Sequence, residues 1–315
     1  MFYNISIIIP FYNASKLISA SLKSSKNIIK KIKTEIIYVD NNSNDNSPSI
    51  IKKKIKSQKN IILLKTRNYM GKGPGVGRNL GIKHAKGKRI LFLDVDDELS
   101  TDNIKKLIQF LKGNNSNLIY LGRKLVKNRD HYKEKLSPFI KYNKKNLSKF
   151  FTNSNNMNVI FVLFNKKFLI KNKLSFDKGM HEDIFFLFKA HFYNQKNIKY
   201  FSKKIYLKKS HKNSITHSPL TLDRIKGMFL AWRNIDGFLK RKMPKLKYKK
   251  IYKYIQYRWR GELANEYSKI LNCKLRKNKE KFFLNYLIKN YKKNISLNFK
   301  AKTKKDKIVK NLLWL

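Results

Sequence analysis

The stretch RILFLDVDD, residues 89–97, decides the fold and the candidate site of this chain. Its apolar half, from Arg89 to Leu93, has the length of one buried strand. In an extended segment residues i and i+2 point to the same side, so we expect Asp94 and Asp96 to project together. Two converging carboxylates repel each other unless a cation or a proton lies between them. Because hard oxygen ligands suit Mg²⁺ or Mn²⁺, the stretch predicts a strand that ends in a metal and phosphate site.

Strand-length apolar runs occur on both sides of this stretch and alternate with amphipathic segments of helical length. The predicted strands are residues 3–9, 35–40, 61–65, 89–94 and 118–122. The clearest helical segments between them are residues 15–32 and 101–111. This alternation is typical of a parallel, doubly wound α/β sheet that is covered by helices on both faces. Ligands of such sheets bind at the carboxyl ends of the strands, so the residues after each strand are candidates for a site.

Polar or acidic side chains follow three of these strands. The clusters are Pro10–Asn13, Asp40–Asp45 and Asp94–Asp97. Turn chemistry alone would explain one cluster, but not three in a chain that has only 19 acidic residues. The alternatives are an Asx-rich turn at residues 40–45 and a cap, at residues 94–97, for a helix that begins near Thr101. Taken together, the three clusters favour a ligand site.

A glycine-rich loop, residues 70–79, precedes the fourth strand. It does not fit the dinucleotide-binding fingerprint, because the third glycine would have to stand where Val76 is. It also lacks the Gly-Lys-Ser/Thr triplet of an ATP-binding P-loop. What remains is a loop that leads into a helix near Pro74, where free backbone N–H groups and Arg78 could hold an anion.

The charge of the chain is strongly unbalanced: 73 Lys and Arg stand against 19 Asp and Glu, which gives a formal net charge of +54 over 315 residues. Hydrophobic residues make up 42% and aromatic residues 13%, so the chain is expected to fold rather than to be a disordered basic tail. A genome rich in A and T would spread lysines everywhere and explains most of the excess. A docking surface would concentrate them, and residues 241–253 and 274–281 are the densest stretches.

Several classes are excluded by what the sequence lacks. One cysteine, Cys273, allows neither an internal disulfide framework nor a thiolate metal cage. No apolar run approaches the roughly 18 residues that span a bilayer, and the N-terminus has no pattern of a cleaved leader. The expected location is therefore the cytoplasm.

Five blocks of sequence resemble, in the same order, the family 2 glycosyltransferases, which are inverting enzymes of the GT-A fold. The blocks are residues 5–13, 39–47, 73–81 and 92–97, and a later stretch with Phe176-Asp177, His181-Glu182-Asp183, Tyr206 and residues 211–215. The resemblance covers roughly residues 3–218. It implies a Rossmann-like, mostly parallel sheet flanked by helices in residues 1–218, followed by a helical C-terminal region in residues 219–315.

The resemblance also implies a role for each site residue. Asp94-Val95-Asp96 would be the DXD motif, with Asp94 near the ribose and Asp96 on the divalent metal, which is Mn²⁺ or Mg²⁺. Arg78 would lie close to the diphosphate, Asp183 would be the general base, and His211 would be a further metal or diphosphate contact. The remaining donor-binding residues would be Pro10, Tyr12, Asn13, Asp40 and Asn42. Asn41 stands where many members have a second acidic residue, so the atom that contacts the ribose stays open.

The chemistry of sugar transfer requires the same roles. Negative charge builds on the departing diphosphate, and a divalent ion stabilises it. A positioned carboxylate takes the proton of the incoming hydroxyl. The alternatives are that His181, Glu182 and Asp183 cap a helix, and that His211 is an ordinary surface residue. A zinc-protease motif is excluded because Phe185 occupies the position of its second histidine.

The last hundred residues predict helices. Phe229, Trp232 and Phe238 recur at nearly helical spacing, which indicates a packing face. Basic helices with aromatic rims also bind anionic membranes, so residues 241–281 are a candidate for docking on the inner leaflet.

The function that the sequence predicts is transfer of a sugar from a nucleotide-sugar donor, with a UDP-sugar favoured, in bacterial surface-polysaccharide synthesis. The acceptor would be a glycan or a lipid-linked saccharide, the enzyme could be peripheral on the cytoplasmic membrane, and nucleic acid would not be a partner. The alternative is a basic nucleic-acid-binding protein, whose aromatic residues could stack on bases. That alternative leaves the acidic strand ends unexplained, since carboxylates repel phosphates.

Overall fold

The computed structural model describes residues 3–67, 73–126, 131–132, 151, 158–194, 198–209, 220–273, 275–296 and 298–314. The chain divides into two compact units. The first comprises Met1–Lys144 and Met157–Ile215, and the second comprises Lys145–Asn156 and Thr216–Leu315. The predicted division of roles between residues 1–218 and 219–315 stays a prediction.

Nine strands in the described part of the chain form one sheet in the first unit. They are β1 Ile5–Phe11, β2 Thr34–Asp40, β3 Ile61–Lys65, β4 Arg89–Phe92, β5 Glu98–Leu99, β6 Leu118–Val126, β7 His131–Tyr132, β8 Val162–Asn165 and β9 Lys199–Lys209. Their order is β3-β2-β1-β4-β8-β6-β9-β5, with β7 paired to β6. The first four strands are parallel, as is the β6–β9 pair, whereas β8 runs antiparallel to both of its neighbours. The predicted α/β fold class is confirmed, with a mixed sheet.

The helices of the first unit are α1 Ser15–Lys31, α2 Ser47–Ile55, α3 Gly75–His84, α4 Ile104–Leu111, α5 Lys166–Lys171 and α6 Glu182–Tyr193. The first predicted helix is confirmed to within one residue. The predicted helix 101–111 begins later, at Ile104, because the Ser100 N–H donates to the Ile205 carbonyl at 2.8 Å and holds the preceding chain beside β9.

Burial explains why the parallel strands are so apolar. Every residue of β1 and of β2 is buried, as expected for central parallel strands that are covered on both faces. Phe92 at the end of β4 meets Phe176 and Phe186 edge-on, and those two rings stack at a centroid distance of 3.9 Å. These three rings therefore pack together at the carboxyl end of β4.

The second unit is helical in its described residues. Its helices are α7 Leu222–Lys242, α8 Lys245–Asn272, α9 Lys277–Lys292 and α10 Lys304–Trp314. Phe229, Trp259 and Tyr291 form its aromatic centre, with ring centroids 5.3 to 5.5 Å apart. Trp232 and Phe238 are buried as well, so the predicted packing face is confirmed. None of the helices in the described part of the chain is long and apolar enough to cross a membrane.

Candidate active site

The loops after β1 and β2 are tied to each other at the carboxyl edge of the sheet. The Asn13 N–H donates to Ser43 Oγ, and Asn13 Oδ1 accepts from the Asn44 N–H, both at 3.0 Å. Asn13 adopts a left-handed backbone, with φ of 47°, which asparagine tolerates better than most residues. Tyr12 is 41% exposed beside it, whereas Pro10 is buried in β1. The two loops at this edge of the sheet are therefore held in place by each other, and the ring of Tyr12 is exposed beside them.

Asp40 ends β2 with one carboxylate oxygen bonded and the other without a partner. Its Oδ1 accepts from the Ser43 N–H at 2.7 Å. Its Oδ2 is buried and has no hydrogen-bond donor among the described residues. A buried acceptor without a donor is costly, so a site that a ligand completes is a natural explanation. Asn42, two residues on, is half-buried and has a left-handed backbone, with φ of 67°.

The start of α3 is held between β2 and the segment before α6. Asn79 exchanges two hydrogen bonds with the backbone of Phe176, at 2.9 and 2.8 Å. A Cβ atom on Gly77 would lie 2.5 Å from Asn41 Oδ1, so glycine lets α3 pack against the Asn41 side chain, which would otherwise have to move. These contacts hold the start of α3 in place and thereby determine the direction of the Arg78 side chain, which lies between Gly77 and Asn79.

Arg78 bridges two carboxylates that are far apart in sequence. Its Nη1 donates to Glu182 Oε1 at 2.7 Å and its Nη2 donates to Asp94 Oδ1 at 3.1 Å. The guanidinium also lies 5.7 and 5.5 Å from the ring centroids of Phe92 and Phe176. The residue is only 4% exposed. In this structure Arg78 therefore joins the end of β4 to the start of α6, and its predicted contact with a diphosphate stays a prediction.

Asp94, Asp96 and Asp97 bring their carboxylates within 4.8 Å of one another. The geometry differs from the expected one, because β4 ends at Phe92 and the aspartates lie in a turn that the Asp97 N–H closes by donating to the Asp94 carbonyl at 3.0 Å. The turn, and not the pleat of a strand, gathers them. Asp94 and Asp96 are half-buried, whereas Asp97 is 1% exposed.

Asp97 holds the turn against β9. Its Oδ2 accepts from the Tyr206 hydroxyl at 2.7 Å, and its Oδ1 accepts from the Lys209 N–H at 2.8 Å. The same hydroxyl accepts from the Asp94 N–H at 3.2 Å. Burial raises the pKa of Asp97 to about 6, although Lys208 lowers it. The third carboxylate thus has a structural role, which leaves Asp94 and Asp96 as the half-buried oxygen donors for a metal. The position of Tyr206 is the one feature of the sequence that indicated this division.

The acidic pair at the start of α6 lies near this cluster. Glu182 is 6% exposed and bound to Arg78. Burial raises the pKa of Asp183 to about 6; Arg78 opposes this increase, and Asp94 adds to it. Asp183 is therefore within electrostatic reach of both residues. Backbone N–H groups of the first turn also lower its pKa, so capping of the helix is compatible with a chemical role.

Not every predicted site residue lies in the part of the chain that the structure describes. His211 lies outside the described residues. Lys208 was not among the predicted site residues, yet it lies at the acidic cluster. Its spacing of two from Tyr206 on one strand is the signal that could have found it.

Acidic residues lie at the carboxyl edge of an α/β sheet, next to an unpaired buried acceptor, which is where ligands bind in sheets of this kind. The chain belongs to the glycosyl transferase family 2, whose sequence model matches residues 6–173, a little more than half of the chain. The resemblance seen in the sequence is thereby confirmed.

Two similar proteins are glucosyltransferases by name. A poly(ribitol-phosphate) β-glucosyltransferase of Bacillus spizizenii is 41% identical over 120 residues, which cover 38% of this chain and 19% of that protein. An Escherichia coli UDP-Glc:α-D-GlcNAc-diphosphoundecaprenol β-1,3-glucosyltransferase is 32% identical over 145 residues, covering 45% of this chain and 54% of that protein. The matched segments span only 19% to 22% of the first three curated relatives.

Solved structures share the fold over nearly the whole chain. Staphylococcus aureus TarS 1–349 in complex with UDP-GlcNAc superposes with a TM-score of 0.70 at 19% identity, covering 93% of this chain and 82% of that one. The mannosyltransferase PcManGT from Pyrobaculum calidifontis, in complex with GDP-Man and Mn²⁺, gives a TM-score of 0.54 at 13% identity, covering 99% and 84%. These matches establish the GT-A-like fold.

Proposed function

We propose that this chain is an inverting glycosyltransferase that moves a sugar from a UDP-sugar to a hydroxyl of a bacterial surface glycan or of a lipid-linked saccharide. The observation that carries the proposal is the Arg78 bridge, because it holds Asp94 beside the acidic pair Glu182 and Asp183. A donor-side carboxylate and a candidate base therefore belong to one site. A protein that binds nucleic acid would not need carboxylates in that arrangement.

The donor base would bind at the ends of β1 and β2. The unpaired Oδ2 of Asp40 suits the ring N–H of uracil, which would supply the missing donor. The other residues assigned to the donor are Pro10, Tyr12, Asn13, Asn42 and Asp94. UDP and UDP-GlcNAc in the TarS complexes support a uridine nucleotide.

The acidic turn fits a divalent metal. Asp94 and Asp96 offer hard, half-buried oxygen atoms within 4.8 Å, as Mn²⁺ or Mg²⁺ prefers, and the Mn²⁺ complex of PcManGT supports the assignment. Asp96 would be the main ligand, and His211 a further one. The metal would supply positive charge that stabilises the departing diphosphate.

Asp183 would take the proton of the acceptor hydroxyl. A pKa of about 6 leaves the carboxylate ionised at neutral pH and makes it a stronger base than an ordinary aspartate. One base opposite one leaving group gives a single displacement with inversion, so an α-linked donor would yield a β-linked product. The β-linkages printed in the names of the relatives support this stereochemistry.

The acceptor would carry phosphate. The relatives are named for poly(ribitol-phosphate) or for diphosphoundecaprenol acceptors, and both are anionic. A chain with a net charge of +54 attracts such acceptors and the membrane that displays them. In this proposal residues 1–218 perform the transfer, and residues 219–315 bind the acceptor or an anionic inner leaflet from the cytoplasmic side.

The donor assignment is tested by measuring thermal unfolding with a panel of UDP- and GDP-sugars in the presence of Mn²⁺. We expect a UDP-sugar to raise the unfolding midpoint, since a ligand at a hundred times its dissociation constant stabilises by about 2.7 kcal/mol. The same sugar should be transferred to a phosphate-bearing acceptor. Protection by GDP-sugars alone would contradict the choice of base, and protection by none of them would contradict the donor site.

Helix α8 presents a surface suited to anionic lipid. The α8 basic face comprises Leu246, Lys249, Lys250, Lys253 and Tyr257, which are all exposed and lie on one side of the helix, each three or four residues from another member. Each lysine near an anionic bilayer contributes about 1 kcal/mol. Changing the three lysines to Glu should therefore lower binding to phosphatidylglycerol vesicles by roughly a hundredfold or more, measured by vesicle sedimentation.

The matched control changes Lys23, Lys30 and Lys31 to Glu. These exposed lysines lie on α1 in the first unit, and the net charge of the chain changes by the same amount. We expect this control to keep vesicle binding within a few-fold. If the wild-type protein shows no preference for phosphatidylglycerol over phosphatidylcholine, the membrane part of the proposal is wrong.

A further inference from the structure

Lys208 lies against the acidic turn from the neighbouring strand. It belongs to β9, and its Nζ is 3.3 Å from Asp97 Oδ2 and 3.8 Å from Asp94 Oδ2. The side chain is 27% exposed, so its ammonium group is held between two carboxylates and still meets solvent. A positive charge thus lies at Asp94, which is one of the two carboxylates to which the proposed function assigns a metal.

Two further groups, besides that ammonium group, hold the turn through Asp97. The Tyr206 hydroxyl and the Lys209 N–H already satisfy both oxygens of Asp97. Tyr206 and Lys208 are two residues apart on β9, so both side chains point to the same face of the strand. Tyr206 contributes a rigid, buried hydrogen bond, whereas Lys208 contributes a charge on a flexible stem of four carbons.

The other cation at the turn is shared. Arg78 donates through one nitrogen to Asp94 and through the other to Glu182, and it is almost fully buried. It can therefore neither leave the carboxylates nor follow a ligand without breaking a buried ion pair. Lys208 is partly exposed and makes longer contacts, so it can move away from the carboxylates and can follow a ligand.

We propose that Lys208 is a built-in counter-ion of Asp94 and Asp97, which opposes divalent-metal binding in the free enzyme and binds the diphosphate of the donor. The inference rests on the proposed function. Like charges a few ångströms apart raise each other's free energy, so the ammonium group weakens binding of a dication to Asp94 and to Asp96 in the same turn. The same group attracts a diphosphate and adds to the charge that stabilises its departure.

The test is a pair of binding measurements with opposite expected signs. Mn²⁺ alone is titrated into the wild type and into Lys208→Met, and free Mn²⁺ is followed by electron paramagnetic resonance. We expect the variant to bind Mn²⁺ about tenfold more tightly, because the repulsion is gone. At saturating Mn²⁺, UDP titrated by calorimetry should bind the variant about tenfold more weakly. A residue with a purely structural role would weaken both.

Lys209→Met is the matched control. It removes the same charge one residue away, where Nζ pairs with Glu98 at 2.5 Å instead of with the turn. Both affinities should stay within twofold of the wild type. Lys208→Arg keeps the charge and should keep the wild-type pattern. Lys208→Gln removes the charge but keeps a donor for Asp97, so it serves as a second test if the Met variant does not fold.

The outcomes separate this inference from the proposed function. Unchanged or weaker Mn²⁺ binding in both Lys208→Met and Lys208→Gln overturns the role of Lys208, and so does unchanged UDP affinity. If the wild type binds Mn²⁺ and Asp96→Asn abolishes that binding, the proposed metal site stands in either case. If the wild type binds no Mn²⁺ that depends on Asp96, the metal site and the inference fail together.

Discussion

Replacing Asp96 with Asn should lower kcat/KM for the UDP-sugar by roughly 10²- to 10³-fold, because the charge on the departing diphosphate loses its main support. Asn keeps the size of the side chain and removes its negative charge, which a hard dication requires. Asp96 is half-buried in a turn that Asp97 and Tyr206 hold, so the fold should be unaffected. Sugar transfer and hydrolysis of the donor, each measured against Mn²⁺ concentration, check the expectation.

Asp102→Asn provides the comparison for this experiment. Asp102 is exposed and lies six residues further along the chain, so the same charge is removed outside the turn. Its kcat/KM should stay within about twofold of the wild type, since surface charges are largely screened. An Asp96→Asn enzyme that keeps full hydrolysis and transfer of every UDP-sugar used by the wild type would show that the donor site is assigned wrongly.

Much of the fold could be predicted because burial of a strand leaves a local pattern in the sequence, and the strands follow one another along the chain. The parallel strands read as apolar runs since both of their faces are covered, and β2, β3 and β4 lie within two residues of their expected ends. The antiparallel β8 was missed. Its direction depends on pairing with β4 and β6, which no local pattern encodes.

The site was predictable in composition and less so in geometry. Asp94 and Asp96 could be picked out because acidic residues are rare in this chain, although a turn and not a strand gathers them. The bridge from Arg78 to Glu182 spans 104 positions in the sequence. Such a contact depends on the packing of α3 against the start of α6, so a single sequence shows the two charges but not that they meet.

Replacing Asp183 with Asn should lower kcat by roughly 10²- to 10⁴-fold and leave the dissociation constant of UDP nearly unchanged. The amide cannot accept the proton of the acceptor hydroxyl, whereas the donor side of the site stays intact. In the wild type, activity should fall as the pH drops through about 6, because burial raises the pKa of Asp183 to that value and the protonated acid is no base. The acid limb of the pH profile is measured from initial rates of transfer between about pH 5 and about pH 8.

The competing explanation is that Asp183 only caps α6, and it makes a different prediction. Loss of a cap costs about 1 kcal/mol of stability and would lower the unfolding midpoint without changing kcat. Asp223→Asn is the comparison, because Asp223 is likewise an acidic residue in the first turn of a helix, α7 in the second unit. If Asp183→Asn behaves like Asp223→Asn, with a lower midpoint and a kcat near that of the wild type, Asp183 is a cap. A large loss of kcat at an unchanged UDP affinity, together with the disappearance of the acid limb, assigns it as the base.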